Sequence, residues 1–484
     1  ALTPEDILVL VGDILEKGQE SLALLRHVME LSRTYTVYYI CGNCDGLVLR
    51  FFETDALDNR FFSSYLPQHP ESCLRQMARE KGFKAFDPKV KYEAGDRVFL
   101  NNRGKAIILS TVGTEPLEKG VRIVAAHIDS PRIDLKPRPL YEEAQLAMFK
   151  THYYGGIKKY QWTAIPLALH GVVIRADGER VAVTVGEDEG DPVFTITDLL
   201  PHLAGEQMQR KLSDGIKGES LNVLVGGRMF RDDKESERVK LGILKLLNEK
   251  YGIVEADFLS AELTMVPAYH AVDVGLDRSF IGAYGHDDRV CAYPALMAAL
   301  DCPNPSYTTV TVLTDKEEIG CVGNTGRSSA YLQFFIEDLA KTQGLEGRDV
   351  LRASECLSAD VNAGVDPTFQ SVHDKLNASF INRGIVVTKY TGARGKSDTS
   401  DANAEFVGKL RKLFDENNIV WQIGELGKVD EGGGGTVAKY VAHLGVDVVD
   451  VGVPVLSMHA PFEQIAKLDI YMAYKAFCTF YNQK

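Results

Sequence analysis

The chain contains 484 residues, of which 45% are hydrophobic and 25% are charged, as is usual for a soluble globular protein of several domains. The formal net charge of −13 argues against nucleic acid or an anionic membrane as a partner, since both need clustered lysine and arginine. No apolar run approaches the roughly 18 residues of a membrane-spanning helix. Eight scattered cysteines in mostly apolar contexts indicate reduced thiols, so we expect a cytoplasmic protein.

Residues 1 to about 80 are predicted to form a strand, a helix and a second strand, followed by two weaker helices. The two strands are the apolar segments Ile7 to Asp13 and Thr36 to Asp45. From about 81 to 132 the pattern favours strands. Arg97 to Gly113 is predicted to form two strands around a turn, and Val121 to His127 is predicted to form an apolar strand that ends in polar residues.

Residues from about 133 to 282 contain a hairpin signal, two strands around Asp177-Gly178 between His170 and Glu187, and an amphipathic helix from Arg238 to Gly252. Residues 283 to 484 alternate between predicted helices and predicted strands, a pattern that predicts an α/β sheet with helices on both faces. The predicted helices there are Val290 to Leu300, Ser329 to Gln343, Asp401 to Asn417 and Ala460 to Tyr481; the strands are Tyr307 to Thr314, segments near Leu357 and Ile385, and Val448 to Met458.

Acidic and histidine side chains follow strands or open helices at five places in this pattern. Open α/β sheets form their sites outside the carboxyl ends of the strands, so these side chains are expected to converge on one crevice. The places are His127 with Asp129 in AAHIDSP, Asp287 with Asp288 in GHDDRVCAY, Glu317 with Glu318 in LTDKEEIG, Asp360 in LSADVNAG and His459 in LSMHAP.

These residue types suit a site for two metal ions, because imidazole and carboxylate together bind zinc. Two ions roughly 3.5–4 Å apart need a bridging carboxylate, and a spare carboxylate can take a proton from the attacking water. Glu317 and Glu318 offer one ligand and one base, and Asp129 is placed to orient the His127 imidazole. Each motif alone is more often structural, since histidine at a strand end usually makes a hydrogen bond and paired glutamates usually face solvent.

Longer motifs resemble the aspartyl aminopeptidase family of dinuclear zinc exopeptidases. The resemblance runs from about Gly82 to the C-terminus, about five sixths of the chain, with many motifs in one order. The motifs are HIDSPR, DKEEIG, SADVN and MHAPFE, together with FKTHYYGGIKKYQW, VFTITDLLPHL, GAYGHDDRVCAY, KYTGARGKSDTSDANAEF and LGKVDEGGGGT.

The resemblance implies a metal-dependent aminopeptidase that hydrolyses the N-terminal residue of peptides through a metal-bridging water. Two divalent ions are implied, with zinc as the family's metal and cobalt or manganese also compatible. The implied roles are His127 and Asp360 on one metal, Glu318 and His459 on the other, Asp287 between them, Glu317 as general base and Asp129 as support for His127. The preferred N-terminal residue stays open.

The family fold is a catalytic α/β domain, here 81–132 and 283–484, interrupted by a β-rich dimerisation domain, here 133–282. Members assemble as large, often tetrahedral, dodecamers, so we expect a homo-oligomer. In such assemblies the inserted domain can lend a residue to a neighbour's site. His170 is the first candidate for that catalytic role and His152 the second, although a hydrogen-bonded strand histidine is an equally good interpretation of both.

The N-terminal motifs VGDILEKG and CGNCD instead resemble calcineurin-like metallophosphoesterases, in which Asp13 and Asn43 would bind metals. Two further motifs of that family are missing, and Cys44 stands where a histidine is expected. We therefore expect residues 1–80 to be a truncated αβ fragment without phosphatase activity, arising from a fusion or a gene-model join near residues 75 to 85. Phosphoesterase activity from this segment and a non-catalytic scaffold are the alternatives to the aminopeptidase.

Overall fold

The computed structural model describes residues 7–12, 36–41, 70–231 and 236–483. Its strands are β1 (Ile7–Gly12), β2 (Thr36–Cys41), β3 (Lys84–Ala85), β4 (Arg97–Asn102), β5 (Ala106–Thr111), β6 (Arg122–His127), β7 (Arg132–Glu143), β8 (Leu146–Tyr154), β9 (Leu167–Ile174), β10 (Arg180–Val185), β11 (Thr195–Ile196), β12 (Val223–Gly226), β13 (Ala261–Pro267), β14 (Val272–Val274), β15 (Phe280–Ala283), β16 (Thr309–Thr314), β17 (Glu355–Ser358), β18 (Asn362–Ala363), β19 (Ile385–Thr388), β20 (Trp421–Ile423), β21 (Asp447–Gly452), β22 (Pro454–Leu456) and β23 (Glu463–Ala466). Its α-helices are α1 (Pro70–Glu80), α2 (Gly205–Met208), α3 (Leu212–Gly215), α4 (Arg238–Tyr251), α5 (His286–Asp301), α6 (Tyr331–Thr342), α7 (Gly347–Arg352), α8 (Ala404–Glu416), α9 (Ala438–Ala442) and α10 (Lys467–Tyr481).

A nine-stranded sheet in the order β20-β19-β21-β17-β6-β16-β5-β4-β3 forms the centre of the fold. Its middle strands β21, β17, β6 and β16 are parallel neighbours. Along β6, Ile123 and Ala125 enter one hydrophobic cluster while Val124 and Ala126 enter the other, because successive strand side chains point to opposite faces. Helices α5 and α10 cover one face and α6 covers the other. The predicted α/β class is therefore confirmed.

A seven-stranded antiparallel sheet, in the order β10-β9-β13-β7-β8-β12-β11, is formed by strands that all lie between residues 132 and 267. The predicted hairpin is present as β9 and β10, with Gly178 at a φ of 84° in the turn. The predicted amphipathic helix is α4, which ends at Gly252 in the left-handed conformation. The domain limits near 133 and 282 stay a prediction.

A five-stranded sheet, β14-β15-β23-β22-β18, departs from the elements predicted in the second half. The segment predicted as one strand from Val448 to Met458 is divided between β21 of the nine-stranded sheet and β22 of this one. Ala460 to Tyr481 was predicted as largely helical, but Glu463–Ala466 forms β23 and the helix begins only at Lys467. The segment becomes a strand because it lies between β15 and β22 and pairs with both of them. Tertiary pairing therefore overrides the local helical pattern.

The N-terminal strands β1 and β2 pair in parallel, from Ile7 opposite Thr36 to Gly12 opposite Cys41. The helix predicted between them, and the motif residues Asp13, Asn43 and Cys44, lie outside the described residues. Among the described residues, no helix combines the length and the apolar character needed to cross a membrane.

Candidate metal centre

Three of the predicted motifs lie at one edge of the nine-stranded sheet. His127 ends β6, Glu317 and Glu318 form a short 3-10 helix after β16, and Asp360 follows β17. Because β6 is parallel to both β16 and β17, the carboxyl ends of the three strands meet at this edge. Chain direction alone therefore brings these four side chains together.

The other two motifs reach the same edge from outside the central strands. Asp287 lies at the start of α5, where its φ of −79° and ψ of 105° depart from helical values. His459 lies between β22 and β23 with a φ of 64°, in the left-handed region that few non-glycine residues adopt. Ser130 Oγ donates a hydrogen bond to the carbonyl oxygen of Asp287 at 2.9 Å.

The carboxylate of Asp287 lies between two imidazoles. Its Oδ1 is 3.1 Å from Nε2 of His127, and its Oδ2 is 3.1 Å from Nε2 of His459. One carboxylate thus presents one oxygen to each histidine. This is the arrangement expected of a bridging ligand between two cations.

The remaining acids divide between the two imidazoles. Oε2 of Glu317 and Oδ1 of Asp360 are each 3.9 Å from His127 Nε2, and Oε2 of Glu318 is 3.6 Å from His459 Nε2. The possible ligand atoms form three groups, each with all atoms within 4.8 Å of one another: His127 with Asp287, Asp288 and Asp360; His127 with Glu317 and Glu318; and Asp287 with Glu318 and His459. Asp288 is an addition to the ligands expected from the sequence.

Both imidazoles are oriented by backbone carbonyls. Nδ1 of His127 donates to the carbonyl oxygen of Asp129 at 3.0 Å, and Nδ1 of His459 donates to that of Gly156 at 2.8 Å. Each contact places the proton on Nδ1 in the neutral ring and leaves the Nε2 lone pair facing the acids. Metal-binding histidines commonly have this arrangement.

Asp129 contacts more of the site than the sequence suggested. Its carboxylate Oδ1 is 3.4 Å from His127 Nδ1, but the carboxylate chiefly accepts hydrogen bonds from backbone N–H groups. Glu317 N–H donates to Oδ1 at 3.0 Å, and Glu318 N–H donates to Oδ2 at 3.2 Å. Tyr154 Oη also donates to Oδ2, at 2.8 Å. Asp129 therefore holds the 3-10 turn that carries both glutamates.

Burial and mutual repulsion raise the pKa values of most acids in the cluster. Asp287 is the exception: burial opposes its ionisation, but its hydrogen bonds with His127 and His459 hold the pKa of its carboxyl below the usual value. Burial and the charges of Asp287 and Asp129 raise the pKa of Glu317 to about 7. Burial, followed by the charge of Asp287, raises the pKa of Glu318 well above its usual value. Although burial opposes it, the hydrogen bond with Asp287 and the charge of Glu318 raise the pKa of His459 to about 10.

Divalent cations fit this donor set. They favour ionised carboxylates and neutral imidazoles, and so relieve the repulsion that raises the pKa values of the acids. A further observation agrees: Oε1 of Glu318 is buried and has no hydrogen-bond partner among the described residues. A buried carboxylate oxygen without a donor is costly, and a cation would satisfy it.

Glu463 is a site residue that the sequence analysis did not single out, although it closes the motif MHAPFE. Its side chain is buried, with 1% exposure. Oε1 accepts a hydrogen bond from the backbone N–H of His459 at 2.7 Å, and Oε2 accepts one from that of Asp287 at 3.1 Å. One carboxylate thus joins the backbones that carry the bridging acid and the second histidine. In the sequence, only its position four residues after His459 could have indicated that Glu463 belongs to the site.

An open cleft in the described part of the chain lies away from these residues. It has a volume of about 700 Å³, and Gln370, His373, Lys375, Glu425 and Lys428 are among the residues that line it. None of the metal-binding candidates lines it. We identify the site from the cluster of ligands, because an open surface cleft carries no chemistry by its size alone.

The predicted trans-acting histidine is not a member of any of the three groups of possible ligand atoms. His170 is on β9 with no exposed surface, and its Nε2 is 2.9 Å from Oε1 of Glu187 without the angles of a hydrogen bond. The role of His170 at a neighbouring subunit's site stays a prediction. His152, on β8, is exposed.

Comparisons with known proteins agree with this architecture. The family model described as "Aminopeptidase I zinc metalloprotease (M18)" matches residues 63–481. A probable M18 family aminopeptidase 1 from Clostridium acetobutylicum is 50% identical over 392 residues, which are 80% of this chain and 84% of the relative.

Solved structures show the same likeness. An M18 aminopeptidase from Thermotoga maritima has a TM-score of 0.85 and 43% identity, covering 91% of this chain and 97% of that chain. A structure described as the mApe1 dodecamer of S. cerevisiae has a TM-score of 0.70 at 20% identity, covering 91% of this chain and 97% of that one, a likeness in fold.

The fold and the ligand cluster define a zinc metallopeptidase. Within that class the chain belongs to the M18 peptidase family, and it is an aminopeptidase. The resemblance noted in the sequence is thereby confirmed. The family match begins at residue 63, so it reaches into the segment that the sequence analysis assigned to a separate fragment.

Replacing Glu463 with Gln tests how the centre is held together. Glutamine keeps the shape but turns an NH₂ group toward one of the two backbone N–H donors. We expect metal affinity to fall by roughly 10–100-fold, as for other groups that orient metal ligands. Chelator competition measures this, with the exposed Glu262→Gln as the matched control. Equal metal affinity in the two variants would contradict the assigned role.

Proposed function

We propose that this aminopeptidase binds two divalent cations, zinc in the first instance, and cleaves the N-terminal residue from peptides at the cluster described above. The cations would be held by His127 and Asp360, by Glu318 and His459, and by Asp287 between them. The observation that carries this proposal is the Asp287 carboxylate, whose two oxygens each lie 3.1 Å from a different histidine Nε2.

When bound, the cations supply Lewis acidity, which polarises the scissile carbonyl and lowers the pKa of an attacking water. Glu317 is assigned as the general base. Its Oε2 faces the cluster 3.9 Å from His127 Nε2, and its side chain is 17% exposed, whereas that of Glu318 is 2% exposed. The more accessible glutamate can take a proton from water at Oε2 and then give it to the nitrogen of the leaving amine.

Asp129 and Glu463 position these groups. The Asp129 carboxylate holds the N–H groups of Glu317 and Glu318, so the base and the ligand keep a fixed separation. Glu463 fixes the backbones of Asp287 and His459. The catalytic side chains are therefore restrained from the backbone side, and their carboxylates and Nε2 atoms remain free for ions and substrate.

Three cations in the motif KYTGARGKSDTSDANAEF are candidate recognition groups for an acidic N-terminal residue: Lys389, Arg394 and Lys396. Lys396 Nζ pairs with Asp401 at 2.9 Å and lies 3.8 Å from the centroid of the Tyr390 ring. Lys396 is therefore already engaged in an ion pair and a cation–π contact. A panel of aminoacyl reporter substrates, assayed with zinc, cobalt and manganese, would define the preference and the metal.

Asp287→Ala tests the bridging assignment. Because the proposal gives this carboxylate to both ions, its removal should weaken binding at both positions, not at one. We expect metal analysis of the purified variant to show loss of both equivalents and of peptidase activity. Asp273→Ala, at an exposed acid outside the cluster, is the control. Near-full occupancy in Asp287→Ala would refute the assignment.

Glu317→Gln separates the base from the ligands. Glutamine keeps the size of the side chain but cannot accept the proton, so activity should fall by roughly 10²–10⁴-fold or more. Metal content should stay close to that of the unaltered protein. Glu318→Gln is the comparison, and it should lose metal as well as activity. If Glu317→Gln remains active while Glu318→Gln keeps its metal, the two roles are wrongly assigned.

Neither alternative function is favoured over the aminopeptidase. The comparisons support the peptidase over a phosphoesterase, and they extend over 80% or more of the chain. A scaffold would not need acids and imidazoles gathered in three mutually close groups, since burying them together is unfavourable.

We also propose a homo-oligomer, with a dodecamer as the expected form, as in the solved mApe1 assembly of similar fold. Apolar side chains are well exposed in the segment from 193 to 212, and large exposed apolar surface commonly marks a subunit interface. They are Val193, Leu199, Leu200, Leu203, Met208 and Leu212. In an assembly of this kind, exposed His152 is better placed than buried His170 to reach a neighbour.

Light scattering tests the assembly. The unaltered protein should have a mass many times that of one 53.4 kDa chain. Leu203→Asp combined with Met208→Asp should reduce that mass, because a charge in an apolar interface is unfavourable. Leu376→Asp, at a 92% exposed position outside the segment, is the matched control. A fully active monomer would exclude the proposed assembly.

A further inference from the structure

The end of β8 brings the seven-stranded sheet into contact with the candidate metal centre. Tyr154 is the last residue of this strand and is 8% exposed. Its hydroxyl donates to Oδ2 of Asp129 at 2.8 Å, and Asp129 follows β6 of the nine-stranded sheet. The hydrogen bond therefore joins the two sheets at the site.

Asp129 transmits this contact to the catalytic turn. Oδ2, which Tyr154 contacts, also accepts the N–H of Glu318 at 3.2 Å, while Oδ1 accepts that of Glu317 at 3.0 Å. A rotation of the Asp129 carboxylate would therefore disturb the hydrogen bonds that hold the backbones of both glutamates. Tyr154 is the side-chain donor that opposes such a rotation.

The two residues after Tyr154 contact the other half of the centre. The carbonyl oxygen of Gly156 accepts Nδ1–H of His459 at 2.8 Å. Gly155 has a φ of 80°, and a Cβ atom there would lie 3.1 Å from Oε2 of Glu318. The backbone thus passes close against one metal-binding candidate and orients another.

The ring of Tyr154 is itself held by a cation–π contact. The Arg132 guanidinium lies 3.7 Å from the ring centroid, and its Nε pairs with Oδ1 of Asp134 at 2.8 Å. A cation over the ring and a carboxylate behind the cation limit the positions that the tyrosine can take. The direction of its hydroxyl is therefore set by β7 and β8 together, since Arg132 and Asp134 belong to β7.

We propose that Tyr154 is a positioning residue of this aminopeptidase, through which the seven-stranded sheet fixes Asp129 and hence the turn that carries Glu317 and Glu318. The inference rests on the roles proposed above for those glutamates. Tyr154 acts through Asp129 without contacting the reacting atoms. Its effect should therefore appear in the turnover step and in metal retention more than in substrate affinity.

Tyr154→Phe removes only the hydroxyl, and Tyr153→Phe is its matched control. Tyr153 is the preceding residue on the same strand, and it is 39% exposed. For Tyr154→Phe we expect kcat and zinc affinity each to fall by roughly tenfold or more, with KM little changed. Tyr153→Phe should match the unaltered protein in kcat, KM and chelator competition.

A double-mutant cycle with Asp129→Asn gives the second measurement. If Tyr154 acts through Asp129, the hydroxyl should have little further effect on kcat once Asp129 is replaced. Full additivity of the two losses would overturn the proposal. So would a Tyr154→Phe enzyme with the kcat and zinc affinity of Tyr153→Phe, even if its thermal midpoint were lower. Glu317→Gln distinguishes a failure of this proposal from a failure of the proposed function, because its residual activity tests only the roles of the glutamates and not that of Tyr154.

Discussion

Concentrated negative charge in a buried space is the constraint on which the rest of this structure depends. The cluster contains two imidazoles and five carboxylates: His127, His459, Asp287, Asp288, Glu317, Glu318 and Asp360. Carboxylates so close together repel one another, and burial strengthens that repulsion because water no longer screens it. Asp287 reduces the repulsion by lying between both histidines, and divalent cations would complete the compensation.

The protein holds this cluster chiefly with backbone groups. Asp129 accepts the backbone N–H groups of Glu317 and Glu318, and Glu463 accepts those of Asp287 and His459. Carbonyl oxygens of Asp129 and Gly156 fix the two imidazoles. Lysine or arginine in these positions would compete with metal ions for the same carboxylates. Peptide dipoles orient the ligands without bringing a full positive charge into the site.

The seven-stranded sheet also helps to hold the cluster. Its strands come from residues 132–267, a different part of the sequence from the strands of the nine-stranded sheet. Tyr154 ends β8 and contacts Asp129, and Gly156, two residues later, contacts His459. The seven-stranded sheet is therefore directly connected to the cluster of acids and histidines. The overall fold that places these strands is shared with the Thermotoga maritima M18 aminopeptidase over 91% of the chain.

The sequence by itself determined the kinds of side chain in the site and their places at the ends of strands. Apolar segments such as β6 and β16 and the β9–β10 hairpin carry their periodicity locally, so they could be predicted, and chain direction then brings His127, Glu318 and Asp360 to one edge. Only the tertiary structure decided that the Asp129 carboxylate holds two backbone N–H groups 188 and 189 residues away, and that Glu463 joins Asp287 to His459. It also made residues 463–466 a strand and enclosed His170 in its own sheet. The type of a side chain does not predict which distant backbone N–H group will donate to it, because the packing of the sheets and helices determines that partner.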